Sequence, residues 1–72
     1  MTDQELRKLH EIYTDGWKLL KQYADVKDTD EYWKAFLRDS EAIYENSGRH
    51  PLAERLVFAL GVYIEDVSRK GK

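Results

Sequence analysis

Apolar residues recur at steps of three and four along almost the whole chain, and this spacing most constrains what it can fold into. Three such series cover about residues 6–23, 32–44 and 52–67. Steps of three and four place side chains along one face of an α-helix, whereas a half-buried strand needs alternation at steps of two. The spacing therefore predicts an all-α fold with three amphipathic helices.

The first predicted helix covers about residues 3–24 and begins after Thr2. Thr2 and Glu5 have the spacing of a capping box, in which each side chain can hydrogen-bond a free backbone N–H of the other residue. The first helix therefore has a defined start as well as a continuous apolar stripe.

The second and third predicted helices cover about residues 30–46 and 51–69. Asp28 or Thr29 can cap the second helix, because both side chains accept hydrogen bonds from the free N–H groups of a first turn. Pro51 suits the first position of the third helix, where its missing N–H removes no hydrogen bond. Each predicted helix thus has its own start signal.

Short connectors favour antiparallel neighbouring helices, so we expect residues 1–72 to form a single domain, an up-down-up three-helix bundle. Chains this short commonly rely on disulfides, a metal ion or a partner subunit. The sequence contains no Cys and only two His, which leaves oligomerisation as the remaining route. We expect the bundle, or a splayed version of it, to be completed by homodimerisation.

The third helix carries more apolar surface than two neighbouring helices of one chain can cover. Phe58 and Val62 lie outside its main apolar stripe, and a helix that is apolar all round is usually buried on all sides. Partial exposure of these two side chains is the simpler alternative. We favour a homodimer whose candidate interface is Leu56, Phe58, Leu60, Gly61, Val62 and Ile64.

Six aromatic residues are expected to form most of the core: Tyr13, Tyr23, Trp33, Phe36, Tyr44 and Tyr63. Trp17 differs from them because it stands between Gly16 and Lys18. Two interpretations remain open for Trp17, an edge position in the core or dimer and a partner-binding anchor. The edge position is the favoured one.

The residues offer no recognisable catalytic, cofactor-binding or metal site. His10 has no metal-ligating side chain three or four residues away, and His50 suits a polar role at the start of the third helix. The chain lacks a Gly-x-Ser-x-Gly motif and a Gly-rich phosphate loop. We therefore predict a non-enzymatic protein with no cofactor, no metal and no small-molecule substrate.

The formal net charge is only −2, but the charges are distributed unevenly. Residues 25–48 contain seven acidic and three basic residues, whereas residues 49–72 contain three acidic and five basic ones. One alternative function is an acidic surface that inhibits a basic partner. The other is a nucleic-acid-associated regulator that uses Arg49, Arg55, Arg69, Lys70 and Lys72. Nucleic acid is the less favoured partner, because a DNA-reading helix presents mainly polar and basic residues.

The first residues lack the basic and apolar segments of a signal peptide. The longest apolar run, residues 56–64, is far shorter than the roughly 20 residues that span a bilayer. We therefore expect a cytoplasmic protein that does not bind membranes.

Residues 30–37 (DEYWKAFL) and 40–43 (SEAI) resemble a segment of small uncharacterised helical proteins. Phages and mobile elements of Gram-positive gut bacteria encode those proteins. The resemblance implies a bacterial cytoplasmic accessory protein, with no assigned activity and no functional residue to transfer. Together with the apolar third helix, it predicts a non-enzymatic protein-interaction protein that acts as a homo-oligomer.

Overall fold

The computed structural model describes residues 1–70 and contains three α-helices. Helix α1 is Asp3–Gln22, α2 is Asp30–Asn46 and α3 is Pro51–Lys70. Each helix contacts both of the others, and residues 1–70 contain no strand. The prediction of an all-α three-helix fold is confirmed, with boundaries close to those that the sequence predicts.

Threonine side chains cap α1 and α2. The backbone N–H of Glu5 donates to Thr2 Oγ1 at 3.1 Å, and that of Tyr32 donates to Thr29 Oγ1 at 3.2 Å. In the first cap the Thr2 hydroxyl also donates to Glu5 Oε1 at 3.3 Å. Of the two caps that the sequence allows for α2, Thr29 is therefore the one that the structure uses.

The connector between α2 and α3 reverses the chain within a few residues. Gly48 and Arg49 have φ angles of +76° and +60°, in the left-handed region that often ends helices. The N–H of Arg49 donates back to the carbonyl oxygen of Tyr44 at 2.9 Å. His50 then caps α3, because its Nδ1 accepts from the N–H of Leu52 at 3.1 Å. The predicted polar role of His50 is confirmed.

The central buried cluster contains Leu19, Tyr23, Tyr32, Phe36 and Ile64. The Tyr23 ring meets the rings of Tyr32 and Phe36 edge-on, each at a centroid distance of 5.3 Å, an arrangement that aromatic quadrupoles favour. Both tyrosine hydroxyls have partners: Tyr23 donates to the Asp39 carboxylate, and Tyr32 donates to the Tyr23 carbonyl oxygen at 2.6 Å. The core is therefore aromatic, and the buried hydroxyl groups of Tyr23 and Tyr32 both have hydrogen-bond partners.

Two of the six aromatic residues expected in the core lie outside it. Tyr13 is 56% exposed and Tyr63 is 60% exposed, whereas the other four are buried or partly buried. Each of the two follows or precedes a buried isoleucine, Ile12 or Ile64. One residue rotates the side chain by about 100° around a helix, which carries both tyrosines beyond the face that the other helices cover.

Helices α1 and α3 approach closely at Gly16. A Cβ atom at this position would lie 2.6 Å from Cδ2 of Leu56 and 3.8 Å from Cδ1 of Leu60. The missing side chain therefore makes room for the inner stripe of α3.

The bundle is elongated and measures 45 × 19 × 17 Å. Helices α1 and α2 are antiparallel, since the Gln22 side chain donates to Asp39 at 3.3 Å while Asp15 and Asn46 border one shallow depression. Helix α2 therefore ends level with Asp15, and residues 3–14 of α1 extend past it by roughly 18 Å at 1.5 Å per residue. The radius of gyration is 13.1 Å, against about 11 Å for a compact chain of this length, in keeping with the elongated shape.

Candidate functional site

An open groove of about 610 Å³ lies between α2 and α3. Most of its lining residues are apolar and come from both helices: Trp33, Phe36, Leu37, Tyr44, Val57, Phe58, Gly61 and Val62. The groove is larger than three shallower depressions on residues 1–70, which have volumes of about 420, 290 and 230 Å³.

On the α2 side, the groove follows from two neighbouring apolar stripes. Tyr32 and Phe36 belong to the buried cluster. Trp33 and Leu37 come one position later, about 100° around the helix, and they line the groove. One helix face cannot turn both stripes inward, so Leu37 remains 61% exposed.

On the α3 side, Gly61 lets an aromatic ring of α2 pack against the α3 backbone. A Cβ atom at Gly61 would lie 3.3 Å from Cε1 of Phe36. Phe58 and Val62 occupy positions further round α3, where they are 72% and 44% exposed. These two side chains and Leu37 of α2 form the exposed apolar rim of the groove.

The charged residues at the groove are all acidic. Glu41, Glu54 and Glu65 line it, and no Lys or Arg of residues 1–70 does so. Glu65 Oε2 lies 3.8 Å from Nη2 of Arg69, and both side chains are well exposed. An exposed ion pair of this kind contributes little, so Arg69 does not cancel the acidic character of the groove.

Ser40 adds one polar group to the groove lining. Its side chain is 6% exposed, and its hydroxyl oxygen is buried without a hydrogen-bond partner among residues 1–70. An unsatisfied buried hydroxyl costs roughly 1–3 kcal/mol. The Ser40 hydroxyl is therefore an unsatisfied polar group beneath the apolar lining of the groove.

The six residues predicted for a dimer interface lie on two different sides of α3. Ile64 is 2% exposed and belongs to the central cluster, so it has no surface left for a partner. Leu56 and Leu60 face Gly16 of α1 and are partly buried. The predicted interface is corrected accordingly, because α1 already covers this side of α3. The three that line the groove are Phe58, Gly61 and Val62.

Trp17 lies on α1, outside the core and outside the groove lining. It is 59% exposed, and Nζ of Lys21 lies 5.8 Å from the centroid of its ring. This exposure does not fit the edge of the core, one of the two edge positions considered for Trp17. An edge position in a dimer and a partner-binding role both stay predictions.

The basic residues proposed for nucleic-acid binding are dispersed. Arg49 precedes α3 and Arg69 lies in its last turn, which separates them by roughly 30 Å along the helix. Arg49 also pairs with Glu45, at 3.3 Å, and Lys72 lies outside the described residues. Within residues 1–70 these cations do not form the continuous basic patch that a phosphate backbone requires.

Sequence reasoning missed the α2 half of the groove, including Leu37 and Glu41. The available signal was the pair Trp33 and Leu37, four residues apart, immediately beside the pair Tyr32 and Phe36. Two adjacent pairs of this kind indicate an apolar face too wide for one helix contact.

The fold and the groove define a class: a small three-helix protein with an exposed apolar surface across two of its helices. Comparisons with protein-family models, curated proteins and solved structures find no match to this chain. Within residues 1–70, no three His, Asp or Glu side chains are placed to hold a metal ion. In the same part of the chain, no helix has the length and apolar character of a membrane-spanning segment.

Proposed function

We propose that this chain is a non-enzymatic protein-interaction protein that acts as a homodimer through the groove rim on α3. The observation that carries the proposal is the exposure of Phe58 (72%) and Val62 (44%) on a folded chain. Leu37 of α2, 61% exposed, continues the same apolar surface. Contiguous exposed apolar surface is typical of protein–protein contact sites.

The energetics favour a dimer of modest affinity. Full burial of an exposed Phe, Leu or Val side chain contributes about 1.5–3 kcal/mol, and a two-fold dimer buries each of the three rim residues twice. The loss of translational and rotational freedom costs about 4–15 kcal/mol. Six such burials contribute at most about 9–18 kcal/mol, a range that overlaps this cost, so we expect self-association that depends on concentration.

Light scattering coupled to gel filtration tests this proposal directly. At high micromolar concentration the chain is expected to elute with twice its monomer mass of 8.6 kDa, and to approach the monomer mass on dilution. Phe58→Glu places a charge in the contact and should leave a monomer. Tyr63→Glu is the matched control, because Tyr63 is similarly exposed on α3 but does not line the groove.

A wild-type chain that stays monomeric at high micromolar concentration would contradict the homodimer. Equal loss of mass in the Phe58 and Tyr63 variants would contradict the placement of the contact. Far-UV circular dichroism shows whether each variant keeps its helices.

The acidic lining of the groove favours a second candidate function, the binding of a basic amphipathic helix from another protein. Three glutamates and an apolar lining match a helix that has Leu on one side and Lys on its flanks. Helix-in-groove binding is a common mode of peptide recognition. Binding in the groove would cover the basic segment of the other protein. This is the action expected of the acidic-surface inhibitor that the charge distribution suggests.

A synthetic amphipathic peptide of Lys and Leu tests this second candidate. Trp33 lines the groove and reports binding by fluorescence once Trp17→Phe removes the other tryptophan. The Lys–Leu peptide should shift the Trp33 emission, and a Glu–Leu peptide of the same length should not. Equal responses to both peptides would argue against recognition by the glutamates.

A further inference from the structure

The outward side of α3 carries four exposed residues in coiled-coil spacing. Arg55, Phe58, Val62 and Glu65 follow one another at steps of three, four and three, and all four are exposed. Steps of three and four in alternation define the seam along which two helices pack as a coiled coil. In order along α3, the seam is basic, apolar, apolar and acidic.

We propose that α3 pairs with α3 of a second copy in antiparallel orientation around a two-fold axis, an inference that rests on the proposed homodimer. The axis passes the outward side of α3 at the level of residue 60, opposite the Leu60 side chain, which faces α1. Phe58 of each copy then packs against Val62 of the other, and Arg55 of each copy meets Glu65 of the other. The two apolar layers lie at the centre, with an ion pair at each end.

The charge order of the seam selects this arrangement over others. A parallel pair would place Arg55 against Arg55 and Glu65 against Glu65, and like charges in contact are unfavourable. An antiparallel pair shifted by one heptad would place Phe58 against Arg55 or Arg69. Of these arrangements, only the antiparallel register centred at the level of residue 60 brings apolar residues together and opposite charges together.

The isolated chain leaves the charges of the seam available. Arg55 is exposed and has no ion-pair partner among the residues that the structure describes. Glu65 contacts Arg69 at 3.8 Å, with the Glu65 side chain 55% exposed. Such an exposed pair contributes little. Glu65 can therefore leave Arg69 and pair with Arg55 of a second copy without a large cost.

Small residues flank the proposed axis. Ala59 lies on one side of Leu60 and Gly61 lies on the other, so neither presents bulk where the two helices cross. Small side chains at a crossing point allow helix axes to approach more closely. The seam is short, which suits the concentration-dependent dimer expected above.

Charge reversal within the dimer tests the register. Arg55→Glu and Glu65→Arg each place like charges at both ends of the seam, and each is expected to weaken the dimer roughly tenfold. The double variant reverses both charges and should restore the dissociation constant to near the wild-type value. Arg7→Glu, the same change on the exposed first turns of α1, is the control and should leave dimerisation unchanged.

A disulfide provides a second test, because the natural chain has no Cys. Ala59→Cys places two thiols beside the two-fold axis, where oxidation should link the copies efficiently. Ala42→Cys, on the exposed surface of α2, is the matched control and should remain largely monomeric under the same conditions.

The outcomes separate the register from the dimer itself. A wild-type monomer at high micromolar concentration overturns both the proposed function and the register. A wild-type dimer that the double charge reversal fails to restore, and that Ala59→Cys fails to cross-link, overturns the register alone. Restoration by the double variant together with cross-linking at position 59 supports the antiparallel seam.

Discussion

At the scale of single residues, Gly16 determines how closely α1 and α3 approach. A Cβ atom there would lie 2.6 Å from Leu56 Cδ2, closer than side chains normally pack. Ala is a better helix former than Gly by about 1 kcal/mol, but forcing an extra methyl into a packed contact costs about 1–3 kcal/mol. The crowding is expected to outweigh the gain in helix propensity.

We predict that Gly16→Ala lowers the free energy of unfolding by about 1 kcal/mol in the wild-type chain. In a chain that already carries Leu56→Ala, the same change should raise it, because the crowding atom is gone. Urea denaturation of the wild type, the two single variants and the double variant gives the coupling energy between positions 16 and 56. Equal effects of Gly16→Ala in both backgrounds would show that Leu56 does not limit the approach.

The hydroxyl of Tyr23 makes stability depend on alkaline pH. Burial and the hydrogen bond to the Asp39 carboxylate raise the pKa of Tyr23 from 10.0 to about 12. Because the folded chain holds this proton more tightly than the unfolded chain, the stabilisation is complete below pH 10 and lost as pH rises toward 12.

We expect the free energy of unfolding to fall between pH 10 and 12, and to fall less steeply in Tyr23→Phe. At neutral pH the variant should be less stable by roughly 1.5–3 kcal/mol, since it loses a hydrogen bond to a charged group. Urea denaturation across this pH range measures both effects. The same alkaline slope in both chains would assign it to other tyrosines, such as Tyr32, whose pKa burial also raises.

At the scale of helices, the stagger of α1 makes its two ends unequal. The first turns of α1 extend past α2, and Leu6 there is 52% exposed. The first turn of α2, in contrast, contains the buried Tyr32. Segments with few buried contacts open locally without unfolding the whole domain.

The same substitution at the two threonine caps should therefore have different effects. Thr29→Ala is predicted to lower the free energy of unfolding by about 1 kcal/mol, because α2 cannot lose its first turn without exposing Tyr32. Thr2→Ala should change it by much less and mainly increase amide exchange in the first turn of α1. Denaturation and hydrogen exchange measure the two responses, and equal losses of stability would contradict the local opening of α1.

At the scale of the whole molecule, folding leaves a large apolar surface exposed across α2 and α3. Anything that binds the folded chain raises its apparent stability by mass action. We therefore predict that the Tm rises with protein concentration, and that Phe58→Glu removes this dependence. Calorimetry at several concentrations checks it, with Tyr63→Glu as the control; a Tm independent of concentration in the wild type would count against self-association.

The exposed apolar surface across α2 and α3 was only half predictable from the sequence. Phe58 and Val62 lie outside the main stripe of α3, and that pattern correctly predicts apolar surface beyond the inner stripe. Ile64 lies in the inner stripe, and assigning it to a partner was wrong because α1 and α2 enclose it. Leu37 was missed, since its exposure depends on which of two adjacent stripes of α2 faces inward.

Local sequence signals predict the three helices, the cap of α1 and the start of α3, and they narrow the cap of α2 to Asp28 or Thr29. These features depend on residues within about four positions of one another, such as Thr29 with Tyr32 or His50 with Leu52. The stagger of α1, the exposure of Trp17 and the division of α3 into inner and outer faces could not be read from local signals. Those features depend on the relative angle and offset of whole helices, which packing at distant contacts such as Gly16 with Leu56 sets.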